Sequence, residues 1–376
     1  MQLEIAGESD NVKLLQFYES HPLHTWMDLK VERYKDFFAP YRWQSEDFRT
    51  YVLRDDDQSI QAVATFIFRD TFYNGKPTRI ALATDLKVSS SRKAILSWGQ
   101  HFLPVMEQIQ AEKNLSHIFS HISLTETSVL NTFVRPRQMK RPLPRYFLFR
   151  KFRVVGLHGL FPFAPRPVRH LKIREGSSVH WDALVAFVQR RNQYRPFTTA
   201  WSAESLQSKM SRWPGFQLSD FLIAFDAQEN IVGCLAPWSS EGHQDFMPLS
   251  YGLKAHNFRQ ALKFLNVVGM TKKLTKPQSR TGQEAPLSFQ FLTNICVDNE
   301  DVFDSLLQVA FRKARKDQFL VYAHCDVDYR LNPPDHWIHS TIPHALYAVL
   351  PPSAAVPDFL SPSLNLNPEV EAAYLY

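Results

Sequence analysis

The order of elements predicted from hydrophobic periodicity occurs twice along this chain of 376 residues. Each half begins with a short strand and two helical stretches, continues with a hairpin, a buried strand and a helix, and ends with further strands. A chain of this length has enough material for two ordinary domains. The repeat therefore predicts an α/β protein (α+β, mixed sheet) with two tandem domains, each a mostly antiparallel mixed sheet flanked by helices.

Breaks in this periodicity predict the domain boundaries. The N-terminal domain is predicted to span residues 1–155, and the Pro- and Gly-containing stretch 156–167 is the predicted linker. The C-terminal domain is predicted to span 168–350, with a basic, polar insertion at about 239–284. The tail, 351–376, is rich in proline. We expect it to be an extended strap over one domain, or to be disordered.

Composition excludes several classes of protein. Hydrophobic residues make up 44% of the chain and aromatic residues 13%, which excludes a disordered chain. No apolar run reaches the roughly 18 to 20 residues that span a bilayer, and we expect no secretory signal. The three cysteines are far apart and odd in number, which favours reduced thiols in a cytoplasmic protein. No paired Cys or His spacing indicates zinc, so no metal is expected.

The turn "SSSRK", Ser89 to Lys93, lies between the buried strand of the first half and the next helix. A helix N-terminus presents unpaired N–H groups and a partial positive charge, which attract anions, and two adjacent cations favour a pyrophosphate. Alternatively, one serine simply caps the helix, a role compatible with binding. The corresponding corner of the second half carries the acids Asp298, Glu300 and Asp301, which would repel phosphate. If one half binds a phosphate carrier, we therefore expect it to be the first.

The stretch "TDLKVSSSR", Thr84 to Arg92, resembles the strand–turn–helix signature of the GNAT superfamily of N-acyltransferases. The shared pattern is an acid, Leu, any residue, Val and a short turn to Arg, and the order of elements in each half is also that of the superfamily. In the second half, "TNICVDNED" keeps Asn294 and Val297 in register but has Asp301 where Arg92 stands. The chain is thus similar to a tandem GNAT protein with degenerate carrier motifs.

This resemblance implies transfer of an acyl group from acetyl-CoA or another acyl-CoA to an amine of a small molecule or peptide, in the N-terminal domain. It implies that the carrier binds to Val88, Ser89, Ser90, Ser91, Arg92 and Lys93. Ile95 and Ser97 stand where the family has small residues. Phe133 lies near the position at which the family has a tyrosine that acts as the general acid.

Two residues are candidates for acid–base chemistry. Asp85, on the buried strand, is the candidate base, because a base must reach the amine directly or through a water. The alternative is a carboxylate paired with a nearby Lys or Arg. Tyr329, in the second half, is a weak candidate acid, for which aromatic packing is the alternative.

Two other functions stay open. The first is an aminoacyl-tRNA-dependent transferase similar to the FemX-like enzymes, in which the basic stretch 134–153 would contact RNA phosphates. That stretch has eight Lys or Arg and no acid, and solvated arginines are the simpler interpretation. The second is a binding or scaffold protein that has lost catalysis. The lack of glycine in the turn before the helix, where the family usually has it, fits this alternative. The oligomeric state is not indicated.

Overall fold

The computed structural model describes residues 1–134, 143–199, 202–277 and 285–375. In its first half, turn and cap residues determine where helices and strands begin and end. Ser91 caps the long helix that follows the buried strand, and Asn114 ends it in the left-handed region, with φ of 50°. The strands are β1 (Gln2–Ile5), β2 (Leu23–His24), β3 (Met27–Glu32), β4 (Phe48–Arg54), β5 (Ile60–Tyr73), β6 (Lys76–Val88), β7 (His117–Ser123) and β8 (Arg145–Leu160). The helices are α1 (Asn11–Glu19), α2 (Ala39–Gln44), α3 (Arg92–Lys113) and α4 (Thr127–Val129).

The second half repeats this order with one insertion. Its strands are β9 (Lys172–Glu175), β10 (Thr198–Thr199), β11 (Leu222–Phe225), β12 (Ile231–Trp238), β13 (Asp245–Tyr251), β14 (Phe289–Val297), β15 (Phe319–Cys325) and β16 (Trp337–Leu350). Its helices are α5 (Trp181–Asn192), α6 (Ala203–Arg212), α7 (Leu253–Val267) and α8 (Glu300–Lys313). The segment predicted as a basic insertion contributes β13 and α7.

The hairpin turns show that the halves repeat in detail. In the β4–β5 turn, Oδ1 of Asp55 accepts a hydrogen bond from the N–H of Ser59 at 3.0 Å. In the β11–β12 turn, Oδ1 of Asp226 accepts one from the N–H of Asn230 at 2.8 Å. An aspartate that bonds its own following backbone is a standard turn former. The hairpin predicted for each half is therefore present, and both hairpins turn by the same chemistry.

One continuous sheet joins the halves through two exchanged strands. In the described part of the chain its order is β1-β4-β5-β6-β7-β16-β8-β15-β14-β12-β11-β9, and β10 pairs with β5. The last strand of the second half, β16, lies between β7 and β8, while the last strand of the first half, β8, lies beside β15. The prediction of a mixed sheet flanked by helices in two halves of one plan is confirmed. Because β8 runs to Leu160, it extends beyond the predicted domain boundary at 155 into the predicted linker.

Alternation along the strands divides the core between two faces of the sheet. Leu53 on β4 and Phe66 on β5 pack with the apolar side of α3. Their neighbours Val52 and Ile67 pack with the residues of α1 and α2 in a cluster that continues into the second half. Helix α8 takes the place of α3 in the second half. Within the described ranges, no helix is both long and apolar enough to cross a membrane.

A small second sheet, in the order β13-β3-β2, ties the insertion to the first half. Strand β3 pairs with β13 from Glu32 opposite Asp245 to Met27 opposite Tyr251. The second helical stretch that the sequence predicts for the first half covers 31–43, but the chain is a strand to Glu32 and the helix begins only at Ala39. Because the pairing partner of β3 lies about two hundred residues away, local periodicity does not reveal this strand.

The Pro-rich tail crosses both halves as an extended strap. Phe359 is buried among aromatic rings of both halves, with its centroid 5.1 Å from that of Phe149 in the first half and 5.0 Å from that of Phe197 in the second. Nε of Arg150, on the exchanged strand β8, donates to the carbonyl oxygen of Leu366 at 2.6 Å. Further along, Ala372 and Ala373 are buried in the core cluster that the two halves share.

If the strap is bound as observed, Phe359→Ala will lower the free energy of unfolding by about 3–5 kcal/mol, because it empties a packed aromatic cluster. Val356→Ala, at a half-exposed position three residues earlier, is the matched control and should change it by less than about 0.5 kcal/mol. Urea denaturation measures both. Equal, small effects would mean that the strap contributes nothing to stability.

Candidate functional site

Each half contains a pair of parallel strands that separate at their carboxyl ends. Strands β6 and β7 pair only from Ile80 opposite His117 to Ala83 opposite Ser120, although both continue further. Strands β14 and β15 pair only from Phe289 opposite Phe319 to Phe291 opposite Val321. We name the openings the first splay (84–88 and 121–123) and the second splay (292–297 and 322–325). The carboxyl ends of separating strands in open α/β sheets are common ligand sites.

A β-bulge lies in each splay at the same structural position. On β6 the register shifts opposite Val63 and Thr65, and Asp85 has φ of 53°. On β14 the register shifts opposite Cys234 and Ala236, and Asn294 also has φ of 53°. Asp and Asn tolerate this left-handed conformation better than other residues with a Cβ. The two splays therefore have the same backbone conformation, with different side chains.

In the first half the serine turn leads directly from β6 into α3. Oγ of Ser91 accepts a hydrogen bond from the N–H of Ala94 at 3.1 Å, so Ser91 is the helix cap considered above. The N–H of Ser89 donates to the carbonyl oxygen of Gln61 at 2.8 Å, and the hydroxyl of Ser89 donates to Oε1 of Gln61, also at 2.8 Å. Ser90 is exposed. Two of the three serines thus hold the turn in place.

The cations of this turn face solvent. Nζ of Lys93 lies 3.5 Å from Oδ2 of Asp56 in an exposed pair, which contributes little to stability. Arg92 is exposed and has no ion-pair partner within the described ranges. Ile95 and Leu96, in the next turn of the helix, are also exposed. No hydrogen bond or ion pair with the described residues therefore holds the guanidinium of Arg92, which is accessible to an anion at the helix start.

The tail fills the second splay. Oε1 of Glu371 accepts a hydrogen bond at 2.9 Å from the N–H of Asn294, the bulge residue, and Nζ of Lys209 donates to Oδ1 of Asn294 at 2.8 Å. Sγ of Cys325, at the end of β15, donates to the carbonyl oxygen of Pro368 at 3.7 Å. The backbone donor of the second bulge is therefore occupied by a carboxylate of the chain itself.

The helix start beside the second splay is acidic, as predicted. Asn299 caps α8 by accepting from the N–H of Val302 at 3.0 Å, and Glu300 and Asp301 lie in the first turn. Asp298 forms an ion pair with Arg191. Carboxylates at this position stabilise a helix but repel a phosphate. The two splays thus differ in the charge of the adjacent helix start and in how the tail meets them. The tail places a carboxylate on the bulge of the second splay, whereas in the first splay the carbonyl oxygen of Leu375 lies 3.3 Å from Nε2 of His121.

Asp85 lies in a buried ion pair. Nη2 of Arg33 is 2.6 Å from its Oδ2, which also accepts from the hydroxyl of Tyr41 at 2.7 Å, while its Oδ1 accepts from the hydroxyl of Tyr18 at 2.8 Å. Arg33 is almost fully buried and also donates to Oε1 of Gln244, in the second half, at 3.0 Å. This network holds the bulge of β6 against α1, α2 and the insertion.

These contacts weaken Asp85 as a proton acceptor. Burial alone would raise the pKa of Asp85, but the charge of Arg33 and the hydrogen bonds hold the pKa below its usual value. A base needs a pKa near the working pH and a free oxygen. The catalytic role of Asp85 stays a prediction, and its surroundings favour the alternative of a strand carboxylate paired with an arginine.

Lys87 and Glu126 are titratable residues of the first splay that the sequence did not single out. Burial lowers the pKa of Lys87 to about 8, and its Nζ donates to the carbonyl oxygen of His21 and lies 3.8 Å from the ring centroid of Tyr18. Burial raises the pKa of Glu126, and the nearby positive charge of Lys87 opposes this. Lys87 is on the part of β6 that does not pair with β7, and Glu126 lies three residues after the end of β7, beside the first splay. The two side chains interact electrostatically.

The other candidates lie apart from this site. Tyr329 is exposed in the second half and has no contact with Asp85 in the described structure. The side chain of Phe133 lies outside the described residues, as do residues 135–142 of the basic stretch. In the part of that stretch that is described, Arg145 and Arg150 bind tail carbonyls, and Arg153 pairs with Asp326 at 3.0 Å. Nothing here supports the predicted contact with RNA.

No metal cluster of three or more His, Cys, Asp or Glu side chains occurs among the described residues. The three cysteines, Cys234, Cys296 and Cys325, are buried, and no disulfide joins them.

Comparison with known proteins identifies the fold. No protein-family model matches the chain, and no curated protein matches its sequence. Saccharomyces cerevisiae N-myristoyltransferase with bound myristoyl-CoA and inhibitors matches with a TM-score of 0.56 at 9% identity, over 96% of this chain and 83% of that one. An Enterococcus faecalis protein described as a probable N-acyltransferase matches with a TM-score of 0.50 at 9% identity, over 93% and 73%. The chain therefore has the GNAT fold, in two tandem halves, and the predicted resemblance is confirmed for the fold.

Asp85→Asn should lower the free energy of unfolding by about 3–5 kcal/mol, because it leaves the charge of Arg33 buried without its partner. The folded-state pKa of Asp85 is lowered, so its contribution is present above the unfolded-state pKa of about 3.9 and is lost as pH falls through the lower folded-state value. The variant should therefore also lose part of the acid dependence of stability.

Urea denaturation between pH 7 and pH 3 measures this effect. Glu112→Gln is the matched control, since Glu112 pairs with Arg49 at 2.6 Å on the surface and should cost less than about 1 kcal/mol. An equal loss for both variants would contradict a structural role of the buried pair.

Proposed function

We propose that the chain is an N-acyltransferase that binds an acyl-CoA in the first splay and transfers its acyl group to an amine of a small molecule or peptide. The observation that carries this proposal is the difference between two otherwise equivalent splays. The bulge N–H of Asn294 is occupied by Glu371 and stands beside an acidic helix start. The first splay stands beside the serine turn and the exposed Arg92.

The donor class is supported by the neighbours in fold. The yeast N-myristoyltransferase was solved with myristoyl-CoA bound. In our proposal the pyrophosphate of the donor lies at the start of α3, where the first N–H groups of the helix have no partner within it. Arg92 and Lys93 supply the positive charge. Ser91 caps the helix and Ser89 bonds to Gln61, so these two serines hold a turn that contains no glycine.

The acyl transfer itself requires a proton acceptor near the amine. The amine nitrogen bonds to the acyl carbon, the carbon–sulfur bond breaks, the amine proton goes to a base and the CoA thiolate later takes up a proton. We assign the base to Glu126, because it lies beside the first splay and its pKa is raised toward the working range of a base. The charge of Lys87 stabilises its ionised form. Asp85 positions the bulge and takes no proton in this scheme.

Coenzyme A should raise the melting temperature of the wild-type chain, and Arg92→Glu should reduce the shift by at least about half, because the reversed charge repels the pyrophosphate. Thermal denaturation with CoA, acetyl-CoA and longer acyl-CoAs up to millimolar concentration measures the shift. Arg169→Glu is the matched control, since it makes the same change of charge at an exposed position of the other half. No shift in the wild type, or an equal loss in both variants, would remove the first splay as the donor site.

Glu126→Gln should lower the rate of acyl transfer by about 10²–10⁴-fold while leaving the shift with CoA unchanged. In the wild type, kcat/KM should fall as the pH is lowered through the raised pKa of Glu126, since only the carboxylate accepts a proton. The variant should lose this fall of kcat/KM at low pH, the acid limb of the pH–rate profile. Release of CoA thiol with a screened panel of amines measures the rate.

Glu107→Gln, an exposed carboxylate on α3, is the control for a change of charge and should keep both the rate and the acid limb. If Glu126→Gln keeps the acid limb at a reduced rate, another group is the base. Asp85 would then be the next residue to test.

A further inference from the structure

Helix α7 has a second apolar side, opposite the side by which it packs on the protein. Ala255 and Leu262 face the protein and are buried. At 3.6 residues per turn, Leu253, Phe264 and Val267 lie on the opposite side, within about 60° of one another. These three residues are 78%, 74% and 84% exposed. The helix therefore presents to solvent an apolar side that lies outside the core.

Val268, the residue that follows α7, extends this apolar side into a continuous patch and is also exposed. Phe264, Val267 and Val268 have the spacing i, i+3 and i+4, which makes them neighbours on a helix surface. Single exposed apolar residues are common, but contiguous ones often mark a surface that contacts another molecule. We name these three residues, together with Leu253, the outer face of α7.

The segment that contains α7 carries the whole net positive charge of the chain. Residues 252–277 include six Lys or Arg and no Asp or Glu. The formal net charge of the chain is +6, so all other residues together carry equal numbers of acids and bases. A concentration of positive charge attracts negatively charged surfaces. The attraction of this protein for an anionic surface is therefore centred on this segment.

The lysines of this segment are accessible to such a surface. Four of them are exposed, and none of the four has an ion pair or hydrogen bond with a residue in the described ranges: Lys254, Lys263, Lys273 and Lys276. By helical spacing, Lys254 and Lys263 lie on either side of the outer face. An apolar side with Phe and Leu, bordered by lysines, is typical of helices that lie in the interface of a membrane.

We propose that the outer face of α7 docks on a lipid membrane that contains anionic lipids. The apolar side chains enter the boundary between headgroups and acyl chains, while the lysines beside them bind the negatively charged headgroups. A second copy of this chain is a poorer occupant, because it would bring its own lysines against those of the first. A membrane needs no shaped groove, which suits side chains that protrude into solvent.

This surface is separate from the proposed donor site. Helix α7 contributes no residue to the serine turn or to either splay. It follows β13, which is held by its pairing with β3 in the small sheet. Docking on a membrane can therefore be tested without CoA, and its outcome does not depend on whether the chain is an acyltransferase.

Co-sedimentation of the full chain with lipid vesicles measures docking. We expect the wild-type chain to bind vesicles of phosphatidylcholine with about 30% phosphatidylserine at least about tenfold more tightly than vesicles of phosphatidylcholine alone. Binding to the anionic vesicles should weaken as NaCl is raised from about 0.05 M to about 0.5 M, because the added ions screen the lysines.

The apolar contribution is tested by the double variant Phe264→Ser, Val267→Ser. It should weaken binding to the anionic vesicles at least about tenfold, because fewer apolar groups enter the membrane while the charge is unchanged. The matched control is the double variant Val179→Ser, Tyr194→Ser, at positions 88% and 85% exposed at the two ends of α5, which should change binding by less than about twofold.

The contribution of charge is tested by Lys263→Glu. It should weaken binding to the anionic vesicles at least about fivefold, because a lysine near the surface is replaced by a group that the headgroups repel. Lys13→Glu makes the same change of charge at an exposed position of α1, where Glu8 and Asp10 lie nearby in sequence, and it should have less than about half of this effect. Since all the substituted residues are exposed, melting temperatures should stay close to that of the wild type.

Three results would overturn the proposal. The first is failure of the wild-type chain to bind the anionic vesicles, or equal losses in the α7 variants and their controls. The second is a dimer in analytical ultracentrifugation that Phe264→Ser, Val267→Ser dissociates, in place of vesicle binding, which would assign the outer face to a second copy. The third is binding to polyglutamate without binding to vesicles, which would assign it to an acidic protein.

Discussion

The exchange of β8 and β16 is the interaction on which the rest of the structure depends. Each half ends in a long strand that lies in the sheet of the other, so that the central ladders β7-β16-β8-β15 are formed between halves and not within them. Every backbone hydrogen bond in these ladders would have to break before either half could leave. Both splays are positioned by these central strands and their neighbours. The chain is therefore a single cooperative structure made of two repeats.

The two splays share one backbone conformation but carry different side chains. The bulge conformation is the same at Asp85 and Asn294, but one side chain binds a buried arginine and the other a lysine on α6. Glu371 of the strap then occupies the second bulge, where the acids at the start of α8 already disfavour phosphate. The first splay has positive charge at its helix start, and Glu126 and Lys87, which interact electrostatically, lie beside it. This difference between two otherwise similar splays is the basis of the proposed function.

Part of the site follows from local sequence and part does not. The serine turn, the acidic second corner and the buried strand that carries Asp85 were predicted because each depends on neighbouring residues. The ion pair of Asp85 was only an alternative, since Arg33 precedes it by 52 residues with no pattern connecting them. Glu126 gave one weak indication, an acid just after a predicted strand. Its importance comes from Lys87, which only the folded chain brings within electrostatic reach of it.

The sequence by itself determined the repeat, the order of strands and helices, the Asp turns of both hairpins and the contrast in charge between the two helix starts. These features depend on the φ/ψ preferences and periodicity of adjacent residues, which are present in any short window of sequence. Only the tertiary structure decided the exchange of β8 and β16, the pairing of β3 with β13 and the insertion of Glu371 beside Asn294. Each of these joins segments far apart in the chain, and an edge of a strand carries no local mark of the partner that will pair with it.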